Sequence, residues 1–221
     1  EFRRVLFRSS PAALKTALEG LGISDRSRIV VMFGNGWVSP ATRVMLTLQA
    51  AGLGDRTSWL DGGLDQWERE GRPVTADVPT VTPGTLSPLR MASPIVDADY
   101  VRAHLTDPKT VILDARDPEF YRGEKTGGSP TSPHKTGHIE GARSLPYSSV
   151  VTTDNRLKSA SELRALFTAA GVKAGDTVVA YCHIGQQATA VVFAARVLGL
   201  DVRLYDGSFE DWSRRDGPVI K

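Results

Sequence analysis

The sequence predicts an α/β protein built from two copies of one unit, the first of them incomplete. Three observations carry that expectation. Short β-prone apolar runs alternate with Ala- and Leu-rich runs of helical spacing. The order of those runs recurs in the second half, and the single cysteine lies where a strand-like run turns into a helix-like one. A hydrophobic content of 41% over 221 residues suffices for a buried core. The 27 basic and 25 acidic side chains leave a formal charge of +2 with no basic block, which suggests neither nucleic acid nor a membrane surface as a partner. No run approaches the ~18 apolar residues of a membrane span. One cysteine excludes an intramolecular disulfide and any multi-cysteine metal site, and fits a reducing, cytoplasmic setting.

Residues 1–9 have no capping or turn logic leading into Ser10, supply no signal peptide, and read as vector- or adaptor-derived sequence outside the fold. Residues 11–21 read as a helix ended by Gly22, and 28–33 as a strand. A turn over 34–40 leads into a second helix, 41–51, ended by Gly52. A short strand at 57–60, the turn Asp61-Gly62-Gly63, a helical turn at 64–69 carrying Trp67, and Pro73 close the unit. Residues 79–94, rich in Pro, Thr and Ser and without periodicity, read as a linker between a first half at 10–78 and a second at 95–221. Beyond it, 95–105 looks helical past Asp97, 111–113 is a buried strand, and 114–120 turns into a short helix. The Gly, Pro and Ser/Thr content of 124–136 forbids a packed element. Gly137-His138-Ile139 reads as a turn before a short strand around 142–145.

The order then returns. Residues 161–170 repeat the first helix, 177–181 the strand, 188–198 the second helix and 202–205 the second strand. Asp206-Gly207-Ser208 stands where Asp61-Gly62-Gly63 stood, Trp212 answers Trp67, and Pro218 answers Pro73. The first copy has no counterpart to 95–149, so it is expected to be truncated, with an exposed sheet edge and the lower stability. The strand alignment sets Gly34 or Asn35 opposite Cys182.

On a strand-to-helix turn, backbone N–H groups and the positive end of the helix dipole converge on one sulfur and favour thiolate over thiol. A cysteine that opens a polar, Gly-containing loop is not placed for core packing, so Cys182 is the candidate nucleophile. A cysteine phosphatase would need an arginine six residues after the cysteine to grip phosphate with a guanidinium fork, and Ala188 stands there. His134 and His138 are four apart, but Pro133 and Gly137 argue against a helix and no further ligand pattern completes a site, so no metal is expected. His138 reads as structural, and His104 carries no hypothesis.

Four motifs now stand in order: Val111-Ile112-Leu113-Asp114-Ala115-Arg116 with Glu119-Phe120; Gly137-His138-Ile139-Glu140-Gly141-Ala142; Tyr181-Cys182 with its loop; and Tyr205-Asp206-Gly207-Ser208 with Trp212. Together they resemble a rhodanese domain over 95–219, and the first half resembles the later part of another. The whole is similar to a tandem sulfurtransferase that has lost its beginning. The resemblance implies two doubly wound parallel-sheet domains, the nucleophile in the carboxy-terminal one and a catalytically silent partner before it. It implies a ping-pong reaction without a cofactor, in which Cys182 takes sulfane sulfur from thiosulfate and passes it as a persulfide to cyanide or a thiol.

Within that resemblance, backbone N–H groups of His183, Ile184, Gly185, Gln186, Gln187 and Ala188 would cradle the persulfide. Arg122 matches an arginine near the donor's anionic end. Asp114 and Arg116 match a supporting strand-end motif, with Arg116 read mainly as a structural ion-pair partner. The alternatives are 3-mercaptopyruvate as the donor, or a non-enzymatic sulfur-relay or interaction module. The loop after Cys182 carries neither the basic residues of thiosulfate users nor the small Gly/Ser set of mercaptopyruvate users. Thiosulfate is therefore expected to bind weakly, with protonation of His183 improving binding as pH falls.

Overall fold

The computed structural model describes residues 10–34, 36–92 and 94–221. Residues 1–9, read as vector- or adaptor-derived from the sequence, and Asn35 lie outside the described residues. The chain divides into two compact units, Glu1–Ser93 and Pro94–Lys221. Among the described residues no helix is long and apolar enough to cross a membrane.

In the first unit Ser10 caps helix α1 (Pro11–Gly20), its side chain accepting from the Ala13 N–H at 3.2 Å, with Pro11 in the first turn where its missing N–H costs nothing. Strand β1 (Ile29–Val31) pairs in parallel with β2 (Thr57–Trp59), and helix α2 (Ser39–Ala50) lies on the crossover between them. Helix α2 begins earlier than its periodicity predicts, because Pro40 is tolerated in a first turn. Helix α3 (Gly63–Arg69) comes next, and the Trp67 indole donates to Pro73 O at 3.0 Å.

The segment read as a linker is hydrogen-bonded to this unit over much of its length. The Glu19 carboxylate accepts from the Leu86 N–H at 2.8 Å, Ser87 donates twice to Asp25, and the Ala92 N–H donates to Ala50 O at 2.8 Å. Among the described residues the sheet here has two strands. Val30 and Met32 accordingly stay 62% and 48% exposed, and a groove of about 560 Å³ lined by Leu21, Ile29, Val31, Phe33 and Trp37 among others runs beside β1.

The second unit opens with β3 (Ile95–Val96), α4 (Ala98–Ala103), β4 (Thr110–Asp114) and α5 (Pro118–Tyr121). Asp97 caps α4, as the helical reading past Asp97 expects, and Ile95–Val96 before it is a strand that the sequence did not announce. A hairpin, β5 (Gly128–Ser129) and β6 (Ser132–Pro133), stands in the loop whose composition argued against any element. Gly128 at φ 90° makes its turn possible, since an added Cβ would lie 2.5 Å from Ser132 O. Strands β7 (His138–Ile139) and β8 (Arg143–Ser144) come after it, and the stretch read as a Gly-His-Ile turn is thus a strand.

Helix α6 (Ala160–Ala169) is entered through a capping box in which the Ser159 N–H donates to Glu162 and Ser159 Oγ accepts from the Glu162 N–H. Strand β9 (Thr177–Tyr181), helix α7 (Ala188–Val197), strand β10 (Asp201–Tyr205), helix α8 (Ser208–Arg214) and β11 (Val219–Ile220) complete the chain. The Trp212 indole donates to Pro218 O at 3.1 Å, the same bond in kind as Trp67 makes to Pro73.

The five-stranded sheet has the order β3-β10-β9-β4-β8 and is parallel throughout. Its central strands are covered on both faces, which is why they read as unbroken apolar runs. Val179, Tyr181, Ile112 and Tyr205 point to one face and pack with Ala98 and Val101 of α4 and Phe209 and Trp212 of α8. The alternate residues Val178, Ala180, Leu113 and Leu204 are equally buried on the other face, where α7 packs on β9 and β10 and against α6. Among the described residues of the first unit no such strands flank the β1–β2 pair, so its amides should exchange with solvent well before those of β4 and β9. Hydrogen exchange read by mass spectrometry checks this, and equal protection of β1 and β9 would refute it.

Candidate active site

A buried ion pair closes the end of the central strands. The Arg116 side chain is 1% exposed, and its Nη2 donates to Asp114 Oδ2 at 2.6 Å and to Gly137 O at 2.7 Å, while Nε donates to Asp114 Oδ1 at 3.0 Å. The Tyr181 hydroxyl donates to Asp114 Oδ2 at 2.6 Å and accepts from the Ile139 N–H at 3.1 Å. The guanidinium also lies 3.9 Å from the centroid of the Phe209 ring. Burial by itself would lower the Arg116 pKa, but Asp114 outweighs it and the pKa is pushed above its ordinary value. Burial, and then the Asp114 charge, push the Tyr181 phenol well up. Asp114 and Arg116 thus tie β4, β7 and β9 together.

Cys182 comes directly after β9 and is fully buried. Backbone N–H groups of Ala188, Ile184, Gly185 and Gln187 hydrogen-bond its sulfur. Ala188, the position at which a phosphatase would carry arginine, is the first residue of α7, and its N–H is among those donors. Gly185 turns the loop at φ 78°, and an added Cβ would sit 2.5 Å from Asp206 O, so no side chain fits there. The expectation that this turn favours thiolate is reversed at this buried site. Removal from water outweighs the four donors and pushes the Cys182 thiol above its ordinary value.

His183 stacks edge-on against Phe120 at 4.5 Å, and its pKa is pushed down to about 4, first by burial and then by the Arg116 charge. It is therefore neutral near pH 7, which corrects the reading of His183 as a pH-dependent cation. His134 and His138 have different neighbours. His138 Nδ1 is 2.8 Å from Tyr121 O and its ring stacks on Tyr121, whereas His134 lies 6.1 Å from the His183 ring and 6.2 Å from Phe209. His134 Nδ1 is buried without a hydrogen-bond partner, as are Gln186 Nε2 and Gln187 Oε1 of the cysteine loop. Polar atoms left this way near a buried cysteine are groups that a ligand can satisfy. Ile184 is 56% exposed, so its side chain faces solvent while its N–H faces the sulfur. Arg122 ends α5 with its guanidinium forked onto Glu124 at 2.6 and 2.9 Å, exposed and already neutralised.

Two other residues emerge only here. Ser208, fully buried, holds the Cys182 N–H at 3.1 Å through its hydroxyl, and it is one of two non-glycine residues with positive φ among the described residues. Its alignment with Gly63 was the one sign of it in the sequence. His134 carried no local signal, because the hairpin that delivers it was not predicted. The residue opposite Cys182 in the first unit is also corrected. Phe33 O accepts from Leu64 N as Cys182 O accepts from Phe209 N, so Phe33, rather than Gly34 or Asn35, occupies the cysteine's place.

Residues 97–215 match the rhodanese-like domain family. The chain belongs to the rhodanese family. It is similar to the sulfur carrier protein TtuD of Thermus thermophilus, at 35% identity over 92% of this chain and 74% of that protein. A probable 3-mercaptopyruvate sulfurtransferase of Pseudomonas aeruginosa is 32% identical over 91% of this chain and 70% of its own length. The thiosulfate sulfurtransferase of Rattus norvegicus is 32% identical over 91% and 68%. Among solved structures, wild-type EanB superposes with a TM-score of 0.83 over 99% of this chain at 23% identity. That likeness speaks to the rhodanese fold alone, and the chain spans only 56% of that structure.

The rhodanese strand-end pair is the part of the site most exposed to a single change. Asp114→Ala strands a desolvated guanidinium, and is expected to cost the second unit about 3–5 kcal/mol. Urea unfolding followed by tyrosine and tryptophan fluorescence measures it, and a loss below about 1 kcal/mol would mean that the pair is not the anchor.

Proposed function

We propose that this chain is a sulfurtransferase that moves sulfane sulfur from thiosulfate to cyanide or a thiol through a persulfide on Cys182. The observation that carries the reading is one buried cysteine with four backbone N–H groups on its sulfur at the start of a helix. Those donors gain most when sulfur carries charge, as in the thiolate and the persulfide anion, and little from a neutral thiol. In the first half-reaction the Cys182 thiolate attacks the outer sulfur of thiosulfate, the S–S bond breaks, and sulfite leaves with the electron pair. In the second, cyanide attacks the outer sulfur of the persulfide, and thiocyanate leaves as the thiolate returns.

Gln186 Nε2, Gln187 Oε1 and His134 Nδ1 are offered as the groups that meet the donor or acceptor. Arg122 keeps a substrate role only if a donor displaces Glu124 from it. The first unit is read as a catalytically silent copy: Phe33 holds the cysteine's place and has no atom to accept sulfur. Names among the relatives support both thiosulfate and 3-mercaptopyruvate as donors. Similarity to a protein named a sulfur carrier favours a second reading, in which the persulfide is relayed to a protein thiol.

Intact-mass measurement after thiosulfate treatment should show one added sulfur atom that cyanide removes. Cys182→Ser should show none and have no transferase activity while its circular dichroism is unchanged. Wild type without the added sulfur refutes the mechanism.

Because His183 titrates near 4, it adds no charge at neutral pH. The KM for thiosulfate is therefore expected to stay flat from about pH 8 to 6, while kcat falls with the thiolate fraction of a thiol whose pKa is raised. A KM that drops on acidification in wild type, but not in His183→Ala, would restore the cationic role.

A further inference from the structure

Three consecutive residues at the start of α8 grip the backbone around the cysteine. Ser208 Oγ accepts from the Cys182 N–H at 3.1 Å, the Phe209 N–H donates to Cys182 O at 3.0 Å, and the Glu210 N–H donates to His183 O at 2.9 Å. The first unit builds the same turn with one difference. There the Leu64 N–H donates to Phe33 O at 2.8 Å, and Gly63, at φ 62°, stands where Ser208 stands at φ 54°. Left-handed backbone is open to glycine and strained for serine. An added Cβ on Gly63 would lie 2.4 Å from Phe33 O, so this turn by its own geometry calls for glycine.

The chain reversal, the helix start and the bond to the preceding strand all form in the first unit without a side chain. What serine adds is a hydroxyl, and it is fully engaged. Ser208 Oγ donates to Tyr205 O at 2.8 Å, which turns its lone pairs toward the Cys182 N–H. A strained residue in a turn that forms without the strain points to a task in the site rather than in the fold.

We propose that Ser208 is a positioning residue for Cys182. The proposal rests on the reading of Cys182 as the sulfur acceptor. By holding the cysteine's own N–H, Ser208 fixes the backbone that aims Sγ at the N–H groups of Ile184, Gly185, Gln187 and Ala188. It also satisfies a buried donor that would otherwise stand unpaired beside the sulfur. Without the hydroxyl the sulfur loses alignment with its donors, and burial, which opposes charge, gains on them.

Two variants of the full chain separate strain from hydroxyl: Ser208→Gly removes both, and Ser208→Ala removes the hydroxyl alone. Cys182 alkylation by iodoacetamide as a function of pH and steady-state thiosulfate:cyanide transfer are the readouts. Ser208→Gly is expected to melt at or above the wild-type temperature, yet to move the alkylation midpoint to higher pH and to lower kcat roughly tenfold with KM unchanged. Ser208→Ala should show the same shift with a lower melting temperature. An unchanged alkylation midpoint and kcat in Ser208→Gly would overturn the proposal, as would a Ser208→Gly protein less stable than Ser208→Ala. Alkylation needs no sulfur donor. A shifted midpoint in a protein that forms no persulfide would uphold the role of Ser208 and sink the sulfurtransferase reading, and an unshifted midpoint in an active protein would do the reverse.

Discussion

The Asp114 carboxylate is the constraint on which the second unit depends. Two buried groups, Arg116 and the Tyr181 hydroxyl, donate to it, and through them it joins the ends of β4 and β9 to Gly137 and Ile139. A charge taken out of water must be met on several sides, and each of these partners lies on a different segment. The strand ends are therefore held in one relative placement. Cys182, one residue beyond Tyr181, inherits that placement without touching the ion pair.

Around the cysteine two opposing effects are balanced. Full burial raises the energy of a charged sulfur, and four backbone donors lower it. Burial prevails, and the thiol pKa stands above its ordinary value. The same burial keeps His183 and His134 neutral. The site's polarity then comes from backbone N–H groups and side-chain amides rather than mobile cations, and Arg116 and Arg122 are paired with Asp114 and Glu124.

The two units show how one turn serves two ends. Both join a parallel strand pair through a left-handed residue and a Trp-to-Pro cap, with Gly63 and Trp67 in one and Ser208 and Trp212 in the other. The first has a phenylalanine at the strand end and no hydroxyl beneath it. The second has a cysteine, with a serine that tolerates strain to hold it.

Much of this was legible in the sequence. Strands β4 and β9 were found because strands buried on both faces must be apolar at every position, and the helices because of their spacing and the glycines that end them. Cys182 was found because a lone thiol between strand and helix is a local pattern, and the family came from the order of four motifs. The misses have a common cause. Ile95–Val96 is a strand only because β10 is there to pair with it, and the β5–β6 hairpin lies in a stretch whose composition describes a loop. Local pattern determined the alternation of elements and the place of Cys182 between a strand and a helix. Tertiary structure alone decided the charge states of Cys182 and His183, the loss of Arg122 to Glu124 and the grip of Ser208. Desolvation and hydrogen bonding across distant segments are sums over neighbours that no stretch of sequence contains.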